Sequence, residues 1–308
     1  MKNAFLFPGQ GAQYSGMFKT IKAMPEAVRV YEKANNIVGY NLQEMCTFGT
    51  QEQLNQTQFT QVAIYTHSIA LSNVLIKNNI NPVVVAGHSV GQFAALVAVG
   101  VISFEEGLKL VQARANLMGS VKRKGSMVSI TGLSVETIKE LCEEVKDSGY
   151  AAISLFNTQI QMVVSGDIKA IEKFTAKAIE RGAIKVVPLR VSQAFHSELM
   201  REIYDEFKSI VNNVEFKEAL CPIVLNCDAE ITTNSIKIKE DIIKQIVTPV
   251  KWYESMKNIL QIEDIELVEV GPGKTLTGMF RSIQKGKKVY TADIPQDLAK
   301  LIKLSKSY

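Results

Sequence analysis

The sequence predicts the α/β class, built as a larger unit with a smaller one inserted into it. Three observations carry the prediction. An apolar, β-branched run at residues 83–86 ends in Gly87-His88-Ser89-Val90-Gly91 and passes into a small-residue helix at 93–98. This is a strand, a tight turn and a helix around a G-x-S-x-G motif, the setting in which a serine is lifted clear of a sheet. Helical periodicity stands on both sides of it. From residue 126 the elements become shorter and run β-α-β-β-α-β, the order of a ferredoxin-like unit.

Taken in order, residues 4–7 form a short apolar strand closed by Pro8-Gly9-Gln10-Gly11, a loop whose amides can face a ligand or an oxyanion. Ala27, Val30, Tyr31 and Ala34 space a helix over 24–38, and a glutamine-rich stretch at 51–61 reads as loop and helix start. Residues 62–77 form a buried helix carrying His67, to which the pattern assigns no role. Ser103, with Glu106 three residues on, caps a helix that runs to about 118 and carries Arg114. The charged turn Lys122-Arg123-Lys124-Gly125 closes this part.

The inserted unit is expected over 126–191, which leaves 1–125 and 192–308 as the larger one. Its strands fall at 127–131, 151–156, 161–165 and 184–188, with a turn at Asn157-Thr158-Gln159 and helices at 134–146 and 168–181. Gly182 is the stop signal of the second helix. No linker rich in Gly, Ser or Pro flanks the unit, so it is expected to pack firmly. Beyond it the pattern gives a helix at 198–210, strands at 223–226 and 265–270, and part of a helix at 241–246.

Composition excludes several classes. The 308 residues are 46% apolar and 21% charged, ordinary for a globular chain that buries a core. The net charge of +4 is too mild for a nucleic-acid binder, which needs a concentrated basic face. Cys46, Cys142, Cys221 and Cys227 lack metal-ligand spacing, so reduced thiols in the cytoplasm are expected, with no metal and no cofactor. The first residues hold too short an apolar run for a signal peptide, and no segment is apolar enough to span a membrane.

A serine on such a turn needs a base, and the chain has only three histidines. Adjacent side chains diverge on the turn, which sets His88 aside, and His67 lies on a core-type helix. His196, at a loop-to-helix junction after the insertion, is the preferred base. No acid to orient it is evident: Asp167 and Glu180 lie in the insertion, and Asp228 follows a strand without further support. A backbone carbonyl is the alternative. The residues alone point to acyl transfer or hydrolysis through an acyl-serine.

Six motifs span the chain: Phe7-Pro-Gly-Gln-Gly-Ala-Gln13, Gly87-His-Ser-Val-Gly91, Gln112-Ala-Arg114, Phe195-His196-Ser197, Gln245-Ile-Val-Thr-Pro-Val-Lys-Trp252 and Gly271-Pro-Gly-Lys274. In this order they resemble the malonyl-CoA:acyl carrier protein transacylase family. The resemblance implies an α/β-hydrolase-like core with a parallel sheet and a ferredoxin-like insertion. It implies Ser89 as nucleophile, His196 as general base held by a main-chain carbonyl near Gln245, and an oxyanion hole from the Gln10 and Val90 amides. It makes Arg114 the partner of the malonyl carboxylate, which suits the planar two-pronged guanidinium. Val90 and Ala194-Phe195 match the malonyl-type signatures. The implied partners are malonyl-CoA and an acidic acyl carrier protein bearing phosphopantetheine, for which Lys122-Arg123-Lys124 and Lys285, Lys287 and Lys288 are candidate contacts.

The chain departs from that family at Gln92, where Glu is common, at Phe18 in place of Gly, and at Lys251 in place of a frequent Arg. Residues 16–18, Met24-Pro25 and 129–133 also resemble the malonyl transferase subunit of malonate decarboxylase. A thioester hydrolase and a non-catalytic carrier-binding module are the competing readings.

Overall fold

The computed structural model describes residues 2–191 and 193–306. The expected boundary residue 192 and the last two residues of the larger unit lie outside them. The chain opens with β1 (Lys2–Phe7), α1 (Pro25–Val38), α2 (Leu42–Phe48), α3 (Gln51–Leu54), α4 (Thr57–Lys77), β2 (Pro82–Gly87), α5 (Gly91–Ala98) and α6 (Phe104–Ser120). The middle holds β3 (Gly125–Thr131), α7 (Val135–Glu144), β4 (Ala151–Thr158), β5 (Gln161–Asp167), α8 (Ile168–Glu180) and β6 (Lys185–Pro188). The last part holds α9 (Tyr204–Asn212), β7 (Ile223–Val224), β8 (Ile231–Thr232), α10 (Ser235–Lys244), α11 (Trp252–Ile259), β9 (Ile265–Glu269), α12 (Thr275–Phe280), β10 (Val289–Thr291) and α13 (Pro295–Ser305).

Two sheets result. The larger has the order β10-β9-β1-β2-β7-β8, every pairing parallel except β7 with β8. Strands buried on both faces read as continuous apolar runs, as Ala4–Phe7 and Val84–Ala86 do. The smaller sheet has the order β4-β5-β3-β6 and is antiparallel throughout, with α7 and α8 packed on a core of its own. The register pairs Phe7 with Gly87, so β1 and β2 end side by side. The loops that follow both strands therefore open at the same sheet edge, the usual place for a ligand site in a parallel sheet.

α4 is buried nearly all round from Thr60 to Leu75, which is why its apolar residues lack a one-sided stripe. α6 begins with the Ser103–Glu106 capping box that the sequence predicts and packs along α4. The smaller sheet is clipped to the larger unit through β4. Val250 N donates to Ser154 O at 2.9 Å, and Phe156 N donates to Val250 O at 2.9 Å.

Several expected elements differ in type or extent. The helix at 198–210 is a 3-10 stretch, Glu198–Ile203, followed by α9. The Ser197 hydroxyl accepts from Leu199 N and donates to Ala194 O, which winds the start tighter than an α-turn. The strand expected to reach residue 226 stops at Val224, where the chain turns into a bend that serves the site. Among the described residues no helix is long and apolar enough to cross a membrane, and no group of His, Cys, Asp or Glu is placed to hold a metal ion.

Candidate active site

The site is built where the first two parallel strands end. Gly87 and Gly91 permit the turn between β2 and α5: a Cβ on Gly87 would strike the backbone of Gly91 and Gln92, and one on Gly91 would strike Phe7 O. Between them Ser89 adopts a left-handed backbone with φ 53°. A non-glycine residue is held there only when its surroundings fix it. Asn226 does so, accepting from Ser89 N at 2.9 Å while its own amide donates to Gly87 O at 2.7 Å.

His196 approaches from the opposite side, on the segment that returns from the smaller sheet. Its φ is also left-handed, at 55°. Ser165 of β5 donates to Phe195 O at 2.9 Å and anchors that segment. His196 Nε2 lies 2.7 Å from Ser89 Oγ, and its Nδ1 lies 2.8 Å from Gln245 O. A carbonyl oxygen only accepts, so Nδ1 carries the proton and Nε2 is left to receive one from the serine. Burial lowers the His196 pKa to about 3, with the nearby Arg114 charge acting in the same direction. The imidazole is therefore neutral at pH 7, the state a general base requires.

Arg114 comes from the buried face of α6. One terminal nitrogen donates to Gln61 Oε1 at 2.5 Å, the other to Gln245 Oε1 at 3.0 Å and to Ser89 Oγ at 3.1 Å. The guanidinium lies 5.6 Å over the Phe93 ring. The side chain is 1% exposed and, among the described residues, makes no ion pair; its Nε has no hydrogen-bond partner. Burial pushes its pKa down to about 9, which still leaves it charged at neutral pH. A buried cation held by neutral amides beside a serine is costly unless something anionic joins it.

The cavity above these groups is walled by Met118, Met127, Leu155 and Phe195, with Gln10 and Val90 at its edge beside Ser89. Among the described residues the Gln10 and Val90 amides donate to no protein acceptor, so both remain available to an oxyanion at the serine. The structure thus brings Gln10, Ser89, Val90, Arg114, His196 and Gln245 together.

The other two histidines stand apart. His88 is buried, with Nε2 2.9 Å from Asn157 Oδ1 and its ring edge-on to Trp252. His67 is buried between Tyr31 and Asp293. Of the two basic stretches, Arg123 is engaged by a two-pronged pair with Asp167 at 2.7 and 2.6 Å. Lys288 sits 4.0 Å over the Tyr290 ring, and Lys285 is exposed. All four cysteines are free.

Sequence reasoning missed Gln61, Asn226 and Asp241. Neutral amides and a carboxylate inside a helix carry no motif of their own. The Asn226–Asp241 bend could have been suspected only from a polar residue following an apolar run.

A family model described as "Acyl transferase domain" matches residues 4–294. The malonyl CoA-acyl carrier protein transacylase of Bacillus subtilis is 33% identical over 301 residues, covering 96% of this chain and 95% of the relative. That of Staphylococcus aureus strain MRSA252 is 34% identical, covering 96% and 97%. Among solved structures, the malonyl CoA-acyl carrier protein transacylase of Coxiella burnetii superposes with a TM-score of 0.94 at 30% identity, covering 98% of this chain and 97% of that one. A malonyl-transacylase in complex with a type II polyketide acyl carrier protein does so with a TM-score of 0.94 at 31% identity, covering 99% and 100%. The expected family resemblance is thereby met over nearly the whole chain, and the chain is an acyltransferase that belongs to the acyl transferase family.

Proposed function

We propose that this acyltransferase moves a malonyl group from malonyl-CoA to the phosphopantetheine thiol of an acyl carrier protein, through a malonyl ester on Ser89. The observation that carries the reading is Arg114, a fully buried guanidinium that faces the serine and has no anionic partner. A carboxylate at the far end of the acyl group supplies that partner. An acetyl or fatty acyl group leaves the charge uncompensated.

The chemistry proceeds in two matched halves. Ser89 Oγ gives its proton to His196 Nε2 and bonds to the thioester carbonyl carbon. The resulting oxyanion is held by the Gln10 and Val90 amides, donors that cost no reorganisation because the elbow has already set them. The C–S bond breaks, the CoA sulfur takes the proton from His196, and the malonyl ester remains with its carboxylate on Arg114. The carrier thiol then repeats the sequence in reverse. Gln245 serves both halves, its backbone carbonyl accepting from His196 and its side-chain oxygen from Arg114.

We infer that residues 126–191 form a ferredoxin-like unit inserted into an α/β-hydrolase-like core of 1–125 and 192–308. The strand order β4-β5-β3-β6 with two helices on one face supports this. Its first strand begins one residue early, at Gly125. The inserted unit would supply the wall at Met127 and Leu155 and the anchor at Ser165. The exposed cations near Lys285 and Lys288 are the proposed contacts for an acidic carrier protein.

The test is intact-protein mass spectrometry after mixing with malonyl-CoA, followed by addition of phosphopantetheinylated carrier protein. The expected result is a malonyl mass gain that maps to Ser89 and passes to the carrier. Rapid release of free malonate without carrier would favour a hydrolase instead, and an unmodified Ser89 would refute both.

A further inference from the structure

We propose that Asp241 and Gln92 are positioning residues: they fix which way the Gln245 carboxamide points, and through it the seat of Arg114. Gln92 is the second residue of α5 and Asp241 lies on α10. Both are buried, as are Gln245, Asn226 and Arg114. The Gln92 amide nitrogen donates to Asp241 Oδ2 at 2.6 Å. The Gln245 amide nitrogen donates to Gln92 Oε1 at 2.5 Å and to Ser89 O at 3.1 Å. Gln245 Oε1 then accepts from Arg114 at 3.0 Å.

The order of donors along this chain is forced from one end. Burial raises the Asp241 pKa, and the donors from Gln92, Asn226 N and Cys227 N oppose that shift. As a carboxylate it only accepts, so Gln92 turns its NH2 toward Asp241 and its oxygen toward Gln245. That oxygen obliges Gln245 to present its NH2 to Gln92 and its oxygen to Arg114. A guanidinium only donates, so the last link closes only in this polarity. If Gln245 turned over, its NH2 would face the Arg114 donors; if Gln92 alone turned over, its NH2 would face that of Gln245 and its oxygen the carboxylate of Asp241. Asp241 does more than serve the bend at 226–227. Its oxygens accept from Asn226 N at 3.1 Å and from Cys227 N at 2.9 Å, bonds the bend needs, while the link to Gln92 is one the bend does not. The carboxylate has no cation beside it among the described residues, so its work is done through these donors.

Gln92 is also the elbow position at which this chain departs from the Glu common in its family. With a carboxylate supplied by α10, a second one at residue 92 would set two like charges together in the core, whereas an amide can both donate to the first and accept from Gln245.

The inference rests on the malonyl-transfer reading, and its test compares kcat/KM for acylation by malonyl-CoA with that by acetyl-CoA. In Asp241→Asn the oxygen stays on Cys227 N, and the NH2 that replaces Oδ2 faces both Gln92 and Asn226 N, which reverses both glutamines and loses one bond of the bend. The malonyl preference should fall about tenfold, the scale of a lost hydrogen bond to a charged group. Adding Gln92→Glu restores an acceptor-only group at the centre of the chain. The double variant should recover to within about threefold of the wild type. Gln92→Leu keeps Asp241 and its backbone bonds while deleting the relay, and it should lose preference to the same degree with little change in KM for acetyl-CoA. A double variant no better than Asp241→Asn, or Gln92→Leu with its preference intact, would overturn the relay alone. A wild-type enzyme that acylates Ser89 with neither thioester would overturn the transfer reading and the relay together.

Discussion

Two buried polar clusters in this molecule invite comparison, because each centres on a histidine. Around His67 the structure is complete. Nε2 meets Asp293 at 3.0 Å and Nδ1 meets the Tyr31 hydroxyl at 3.0 Å, while Asp293 also accepts from Tyr14 at 2.7 Å, Thr20 at 2.6 Å and Gly273 N at 2.8 Å. Around His196 it is incomplete. The histidine has a carbonyl in place of a carboxylate, Ser89 and His196 hold left-handed backbones, and Arg114 keeps a charge with no anion. By residue type, the His67–Asp293 pair looks more like half of a catalytic triad than the His196 cluster does. The difference is one of satisfaction: a closed network stabilises the fold, and an open one is poised for a ligand.

The sharpest way to break this comparison is at Ser89. Ser89→Ala should abolish the malonyl adduct while the protein stays folded, and the adduct's survival in that variant would place the nucleophile elsewhere. Next in size, Asp293→Asn and His67→Ala should act on stability. Removing one partner of a buried, hydrogen-bonded pair costs about 3–5 kcal/mol, read as a lower thermal midpoint with the malonyl preference of the surviving folded enzyme unchanged. A loss of preference without a loss of stability would erase the distinction between the clusters.

A pH series sharpens it further. His196 titrates in the native state at about 3, below its ordinary value of 6.5, because burial and Arg114 disfavour its charge. The unfolded chain therefore binds a proton that the native site refuses as the pH falls below 6.5. This group's contribution lowers stability by about 1 kcal/mol per pH unit in that window, and the penalty is absent above it. In His196→Ala the slope of stability between pH 5 and 6.5 should be shallower than in the wild type. Burial lowers the His88 pKa in the same direction, so both proteins retain some slope. The smallest effect belongs to the elbow: Ser89→Gly relieves the left-handed strain and should stabilise the fold by about 1 kcal/mol, whereas Ser89→Ala should not.

What was legible in the sequence follows the same division. The elbow, the Ser103 cap and the order of the shorter elements are local signals, set by residues within one turn or strand of one another, and they predicted their elements closely. The strands β8 and β10 have two and three residues, too few to display a period. His196 was reached by elimination and resemblance, since 107 residues separate it from the serine it meets. The supports of the site were harder still. Asn226, Asp241 and Gln61 act through hydrogen bonds to residues distant in sequence, and an amide in a helix looks the same in sequence whether it faces water or a guanidinium. Gln92 stands out only as a departure from a family pattern; its partners Asp241 on α10 and Gln245 just after it give it a place.

The central claim is that Arg114 is an unsatisfied cation kept for the carboxylate of the acyl group. It is tested most directly by the ratio of kcat/KM for malonyl-CoA to that for acetyl-CoA in the wild type and in Arg114→Ala. The wild type should strongly prefer malonyl-CoA, and the variant should lose at least about 30-fold of that preference, the cost of truncating one partner of a buried charge pair. The ligand-free variant should be no less stable than the wild type. An Arg114→Ala enzyme that keeps its preference for malonyl-CoA would contradict the account.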